Sequence, residues 1–430
     1  MQYILFCIFV EMLTNEPFSG IIQGMADGIV MYIFLFISLY FEVFMLVSFL
    51  NRRHVAAGHP EDGAHTPSIA IIVPCWNEVK TLAVTMHSLL ALEYPHDKLE
   101  ILVVDDGSTD NTLEVARTFE YDSRVRVLQK QNGGKHSAMN LGLANTHAEF
   151  IGCLDADSIV APTALMRIVP VFHNPRVAAV TPGILIKKPE NLLQHMQEAE
   201  YRLGIFVRYT LASLGSAYIT PGPFSIFRTA VIRQTGGWRH GHSTEDLEMA
   251  LRIQEAGYLI GNAPRAIVYT GTPRTIPALF RQRVRWSYGF LRNGADYKHM
   301  FANSKYGNLG LIILPTALLS IGIAVYFFAH LLLSLISTIS HTFIRFQILG
   351  IGFSPHFNFF YINTSALWFI VIASVILVVA LISVGTFIGT GQRRPPVGTP
   401  LFVLFYTMLA PLWLGTAAFR AVFRTGVRWR

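Results

Sequence analysis

Leu99-Glu-Ile-Leu-Val-Val104, running straight into Asp105-Asp106-Gly107-Ser108, is the stretch that decides the fold. A short run rich in Ile, Leu and Val reads as a buried parallel strand. Three more segments follow the same pattern: Ser68 to Val73 ahead of it, then Val125 to Leu128 and Phe150 to Leu154. Between them lie helical patterns over about 79–92, 109–119 and 135–146, and Ser108 or Thr109 is placed to cap the second. This alternation predicts an α/β fold with an open, mostly parallel sheet and helices on both faces.

Working outward, the chain changes character. Of its 430 residues, 52% are hydrophobic and only 14% charged, against roughly 25% charged in a soluble domain. Much of it is therefore expected in lipid. An N-terminal membrane region covers residues 1–54, with its main apolar run from Gly28 to Leu50, a length that suits a membrane span. Asn51-Arg52-Arg53-His54 follows at once and favours the cytoplasmic side. Residues 55–67 read as a linker, 68–272 as the catalytic domain, and 273–306 as an amphipathic interface region. The remainder, 307–430, holds spans over about 308–336, 363–390 and 400–423, the last interrupted by Pro411. Three such spans leave the chain end outside, whereas Arg420, Arg424, Arg428 and Arg430 favour the inside. Either the last segment is re-entrant or interfacial, or the charge rule fails there.

Lys and Arg number 34 against 27 Asp and Glu, for a net charge of +7. Many of these cations flank apolar runs, and the polar region lacks interleaved aromatic and basic residues, so no nucleic-acid partner is expected. The cysteines Cys7, Cys75 and Cys153 have neither metal-ligand spacing nor a disulfide framework. That fits a reduced, cytoplasmic catalytic domain. Met1 to Val10 lacks a basic start and a small-residue cleavage site, which argues against a cleaved signal peptide.

In an open α/β sheet, ligands bind beyond the carboxyl ends of the strands. The first strand ends in Pro74-Cys75-Trp76-Asn77-Glu78, the second in Asp105-Asp106, the fourth in Asp155-Ala156-Asp157. Three strands thus bring carboxylates to one rim, where they require a cation or strong donors. Asp155 and Asp157 can hold Mg²⁺ or Mn²⁺, which take oxygen ligands; the bland reading is a pair of turn-forming aspartates. Asn132-Gly133-Gly134-Lys135 precedes a helix and suits an anion, or is a simple turn. It lacks Walker A spacing, and no G-x-G-x-x-G follows the first strand.

Thr244-Glu245-Asp246 opens another helical pattern. Its acids can cap the helix, or Asp246 can act as general base toward a hydroxyl. Gln282, Arg285 and Trp286 fall at i, i+3 and i+4, on one helix face. That face offers an amide, a cation that can fork onto diphosphate oxygens, and an aromatic plane for a sugar. Ile276 to Tyr297 is also amphipathic and basic, as an interfacial helix is. Both readings are compatible.

Taken in order and spacing, Pro74 to Glu78, Asp105 to Ser108, Asp155-x-Asp157, Thr244-Glu245-Asp246 and Gln282-x-x-Arg285-Trp286 resemble the motifs of processive family 2 glycosyltransferases. These include cellulose, hyaluronan, chitin and poly-N-acetylglucosamine synthases. The resemblance implies a GT-A (Rossmann-like) cytoplasmic domain with flanking transmembrane helices and inverting transfer. It assigns Pro74, Glu78, Asp105, Asp106, Lys135 and Asp155 to donor binding, with Glu78 and Asp106 toward the nucleoside. Asp155 and Asp157 would meet the metal and diphosphate, Asp246 would be the base with Glu245 beside it, and Gln282, Arg285 and Trp286 would hold the diphosphate and acceptor end. Gly222-Pro223-Phe224-Ser225 resembles a loop lining the acceptor path.

Size and motif form look most like poly-β-1,6-N-acetylglucosamine synthases, which implies a UDP-sugar donor, UDP-N-acetylglucosamine, and a growing polysaccharide acceptor. The expected setting is the plasma (inner) membrane, multi-pass, with export coupled to synthesis and room for accessory export or regulatory subunits. The Trp286-Ser287-Tyr288-Gly289 continuation departs from the commoner pattern, leaving cellulose-, hyaluronan- or chitin-like products open. A non-processive transfer to lipid is the second enzyme reading. A silent membrane subunit and a transporter are the non-enzymatic ones, and few ionisable residues in the spans oppose the latter.

Overall fold

The computed structural model describes residues 21–51, 66–349 and 366–425. Cys7, the Arg52-Arg53-His54 flank, most of the 55–67 linker, the start of the 363–390 segment, and Arg428 and Arg430 lie outside the described residues.

A helix, α1 (Ile21–Leu50), precedes the first strand. The four strands expected from the sequence form as β1 (Ile69–Cys75), β2 (Leu99–Asp105), β3 (Val125–Gln129) and β4 (Phe150–Cys153). Helices α2 (Leu82–Leu90), α3 (Thr112–Arg117) and α4 (Lys135–Ala144) connect them. The side chains of β1, β2 and β4 are buried on both faces, which is why these strands read as apolar runs, whereas β3 at the sheet edge is only partly covered. β1 pairs in parallel with β2 and β4, and β2 with β3. The register sets Cys75 opposite Asp105, so the two acidic turns leave the same edge of the sheet. Ser108 and Thr109 do not cap α3, because both are engaged across that edge. Asn77 N–H donates to Ser108 Oγ (3.0 Å), and Thr109 N–H donates to Asn77 Oδ1 (2.8 Å). Asp110 instead accepts from the Thr112 amide (3.0 Å) at the start of α3.

Beyond β4 the sheet becomes mixed. β5 (Ile159–Val160), β6 (Val177–Ile186), β7 (Ser225–Arg228) and β8 (Leu259–Thr270) complete an 8-stranded sheet of order β3-β2-β1-β4-β7-β6-β8-β5. β7 runs antiparallel to β4 and β6, while β6 and β8 are parallel. The β6–β8 register shifts between Pro182 and Gly183, where a proline cannot donate to the ladder. α5 (Ala164–Ile168), α6 (Leu192–Ser213), α7 (Thr229–Gln234) and α8 (Glu245–Glu255) lie between these strands in sequence. α9 (Ile276–Asp296) follows β8 and buries Leu279, Arg283, Val284, Tyr288, Gly289 and Asn293 on one face.

Next come α10 (Leu314–Leu349), entered through a wide turn over Leu309–Ile313, and α11 (Ala366–Thr390). Among the described residues, two helices are long and apolar enough to cross a membrane: Leu309–His341, of mean hydropathy 2.3, and Phe369–Thr390, at 2.8. A third crossing is possible if Thr399–Tyr406 and Met408–Val422 are one span, for they meet at a bend of 49°. The second piece lies in α12 (Thr407–Val422). Pro411 accounts for the place of the bend, since its ring displaces the carbonyl four residues earlier, at Thr407.

α6 and α11 join the two halves. A Cβ at Gly385 would overlap the Arg202 carbonyl, and one at Gly389 would crowd the Ile205 side chain at 2.9 Å. Gly385→Ala is therefore expected to cost about 1–3 kcal/mol through overpacking. At Gly415 a Cβ meets nothing within 4 Å, so Gly415→Ala leaves stability equal or higher. Thermal unfolding of the detergent-solubilised chain compares the two.

Candidate active site

The site is organised around one lysine. Gly134 enters α4 with φ 86°, a left-handed value that glycine adopts without strain. Asp106 fixes this turn: its carboxylate accepts the amides of Gly133 (3.0 Å) and Gly134 (2.8 Å) and the Lys130 ammonium (2.6 Å). Lys135, the next residue, is thereby aimed across the strand ends. Its Nζ lies 2.6 Å from Asp155 Oδ1 and 3.2 Å from Glu245 Oε1. Burial alone would lower the lysine pKa, but the charges of Asp155 and Glu245 hold it well above the usual value. Gly222 covers the pair; a Cβ there would overlap Lys135 Nζ.

Lys135, Gly222, Glu245 and Asp246 line one cavity of about 270 Å³ counting its open mouth, together with Cys153, Thr220 and Trp238. Burial raises Asp246 to about 6, and the adjacent Glu245 charge adds to this. Glu245 moves the other way: burial opposes ionisation, yet Lys135 keeps its pKa low. The charge of Arg285 also acts on both acids. One of two neighbouring carboxylates is therefore fixed as an anion while the other is poised to exchange a proton.

Asp155 and Asp157 leave β4 together, and Asp157 is exposed at the rim. Surrounding protein raises Asp157 to about 6, helped by the Asp155 and Glu78 charges. Glu78 is held by a turn in which its amide donates to Thr112 Oγ1 (2.8 Å) and its carboxylate accepts from Thr81 (2.8 Å). Asp105 is fully buried and accepts the Ser108 amide at 3.3 Å. Among the described residues, no group of three or more His, Cys, Asp or Glu is arranged to hold a metal alone. Two oxygen-donor carboxylates that repel one another nonetheless fit a hard divalent cation completed by a ligand's phosphates.

The Thr244-Glu245-Asp246 turn is strained and clamped. His242 and Ser243 before it have φ of 51° and 69°, values that non-glycine residues rarely adopt. α9 holds this backbone in place. Asn293 Nδ2 donates to Gly241 O and Thr244 Oγ1 (both 2.9 Å), and His242 Nε2 lies 2.7 Å from Asp296. Thr220 hydroxyl donates to the Asp246 carbonyl (2.8 Å) from the loop that also carries Gly222. Gly289 lets α9 come this close, because a Cβ there would overlap Thr244. The sequence patterns give no role to Lys130 or Asn293, and they mark Gly289 only as part of the departing Trp286–Gly289 continuation. A glycine inside an amphipathic helix, about 1 kcal/mol worse than alanine, was the available sign of a close approach.

The structure leaves Gln282 half-buried, its Oε1 without a hydrogen-bond partner, and Trp286 exposed. The residue between Gln282 and Val284 is the deeply placed one: Arg283 is 4% exposed and lies under the Trp286 ring, 4.2 Å from its centroid.

An α/β sheet of this order, with acids and a paired lysine at its strand ends and apolar helices after it, is a glycosyltransferase domain of GT-A type. Residues 67–289 match the family described as Glycosyltransferase like family 2, and the chain belongs to that family. It is 33% identical over 224 residues to a poly-beta-1,6-N-acetyl-D-glucosamine synthase of Staphylococcus epidermidis, covering 51% of this chain and 54% of that protein. The Staphylococcus aureus (strain COL) protein of the same name is 33% identical over 226 residues, with the same coverage. The chain thus spans about half the length of the curated relatives it matches. In overall fold it is similar to the mannosyltransferase PcManGT from Pyrobaculum calidifontis, solved in complex with GDP-Man and Mn²⁺. That likeness has a TM-score of 0.63 at 17% identity and covers 91% of this chain and 98% of the other.

Gly289→Ala would push α9 from the Thr244 turn and displace Asp246. Misplacement of a reacting group by about 1 Å costs about 10²-fold in rate, so turnover of the variant should fall by that order. Steady-state assays of the purified chain check this, with circular dichroism showing that the fold is kept.

Proposed function

We propose that the chain is a membrane-bound, inverting and processive glycosyltransferase, transferring N-acetylglucosamine from UDP-N-acetylglucosamine to a growing polysaccharide. The observation that carries this reading is the assembly of Lys135, Glu245 and Asp246 around one cavity with Asp155 at its edge, drawn from α4, α8 and the end of β4. Similarity to the staphylococcal synthases supports the sugar and the polysaccharide product. The apolar helices support a multi-pass protein of the plasma (inner) membrane. In this reading residues 68–272 form the cytoplasmic catalytic domain, 273–306 the interface region and 307–430 the C-terminal membrane region.

The donor lies over the strand ends. Pro74, Glu78 and Asp105 bound the nucleoside side, and Asp106 serves it by fixing the Gly133–Gly134 turn. Lys135 faces the diphosphate beside Asp155 and Asp157, which would hold Mg²⁺ or Mn²⁺. When bound, the ion supplies neutralising charge to the diphosphate. Asp246 takes the proton from an acceptor hydroxyl, whose oxygen forms a bond to the anomeric carbon as the sugar–diphosphate bond breaks. The bonding electrons leave with the nucleoside diphosphate, and configuration inverts. Arg285 and Gln282 face the departing diphosphate and the acceptor, and Trp286 offers its free face to a sugar ring.

Asp246→Asn is expected to abolish transfer while affinity for UDP survives, read by product formation and by titration calorimetry. Asp155→Ala or Asp157→Ala should instead weaken metal-dependent donor binding. Because Asp246 must be ionised to accept a proton, a pKa near 6 places the acid limb of the rate there. Turnover should fall about tenfold per pH unit below it and stay level above, whereas an ordinary aspartate would place that limb near 4. A pH–rate profile at saturating donor decides. Membranes incubated with a panel of UDP-sugars and Mg²⁺ or Mn²⁺, followed by digestion with linkage-specific hydrolases, test the product. Lack of any polymer from UDP-N-acetylglucosamine would refute the sugar assignment.

A further inference from the structure

A second polar cluster lies beneath the aromatic platform, where three elements distant in sequence meet. Arg283 projects from the buried face of α9. Its Nη2 donates to Glu200 Oε2 on α6 (2.6 Å), and its Nε donates to the Tyr406 hydroxyl (3.0 Å). Tyr406 in turn donates to the same Glu200 oxygen (2.7 Å). The three groups close a ring of hydrogen bonds, two of them on one carboxylate oxygen. Arg283 and Tyr406 are 4% and 0% exposed, so neither can exchange this partner for water.

Each member has a distinct attachment. Tyr406 closes the wide turn Phe402–Tyr406 immediately before the 49° bend of the last membrane segment. Its ring is packed against Phe402 and Trp413, at centroid distances of 5.3 and 5.6 Å. Glu200 belongs to α6, the helix that α11 touches through Gly385. Arg283 carries its guanidinium under one face of Trp286, an arrangement in which a cation attracts the ring electrostatically. Trp286 remains 40% exposed. One face of the ring is thus fixed from below by a cation that the membrane segment itself orients, and the rest is open to a ligand.

We propose that Glu200 and Tyr406 are positioning residues for the acceptor. They hold Arg283 beneath Trp286, so that the bend of the last membrane segment sets the orientation of the ring that receives the sugar chain. The use of that ring rests on the function proposed above; its orientation by Tyr406 and Glu200 does not. The hydroxyl of Tyr406 is the sensitive point. Tyr406→Phe keeps the ring packing but removes both a donor to Glu200 and an acceptor for Arg283. Glu200→Gln keeps the shape and removes the charge.

The test has two arms on the full-length chain in lipid nanodiscs. The chain has 6 tryptophans, so the emission of Trp286 is taken as the difference between each protein and its Trp286→Phe counterpart. Acrylamide quenching of that difference should rise in Tyr406→Phe and in Glu200→Gln. With an oligosaccharide of N-acetylglucosamine as acceptor and UDP-N-acetylglucosamine as donor, the acceptor KM should rise about tenfold, as expected for losing a hydrogen bond to a charged group, with donor KM unchanged. Unaltered quenching in both variants, or parallel changes in donor and acceptor constants, would overturn the proposal. Should Tyr406→Phe fail to fold, Glu200→Gln carries the same test. If wild-type chain transfers no sugar, the functional reading fails while the quenching arm still decides how the ring is held.

Discussion

Lys135 is the constraint on which the site depends. A buried ammonium is costly unless paired with geometry good enough to offset its desolvation, and here the pairing draws on two separate parts of the chain. Asp155 arrives from the end of β4 and Glu245 from the start of α8, both within 3.2 Å of Nζ. Meeting that requirement fixes the neighbours. Asp106 must hold the Gly133–Gly134 turn, position 222 must lack a side chain, and Asp246 must stand next to a carboxylate that stays ionised. The poised state of Asp246 comes first from its burial and is reinforced by the Glu245 charge that the lysine keeps ionised. A diphosphate brought to this cavity would meet a cation already held in place, which limits reorganisation on binding.

The second constraint is the close docking of α9. Its buried face is used twice: Gly289 and Asn293 secure the backbone before Glu245, and Arg283 secures the ground beneath Trp286. A single rigid helix therefore relates the proposed base to the acceptor platform. The same helix packs along the apolar α12, so apolar and catalytic parts share one surface instead of being joined by a tether.

The sequence made the parallel half of the sheet legible because β1, β2 and β4 are buried on both faces and appear as largely apolar runs, while the edge strand β3 still carries Val125, Val127 and Leu128. Their acidic ends could be placed on one rim for the same reason. β6 and β8 were not read, since Pro182 and Pro264 interrupt them and their partners lie about 80 residues apart along the chain. Ser108 and Thr109 looked like caps but are taken by Asn77, a contact across 31 and 32 positions. Arg283 was hidden by its neighbours: a helical stripe selects Gln282, Arg285 and Trp286, and only the fold reveals Glu200 and Tyr406 waiting on the other face. Local pattern locates groups that line an edge; it does not disclose pairs that tertiary structure alone creates.

The central claim is that Lys135, within its carboxylate cluster, forms a diphosphate-binding centre. Calorimetric titration of wild-type and Lys135→Met chains with UDP and with uridine, both in Mn²⁺, tests it most directly. Loss of a charge-assisted bond predicts about tenfold or weaker binding of UDP by the variant, with uridine binding unchanged. Equal affinity of both proteins for UDP, or an equal loss for UDP and uridine, would contradict the account.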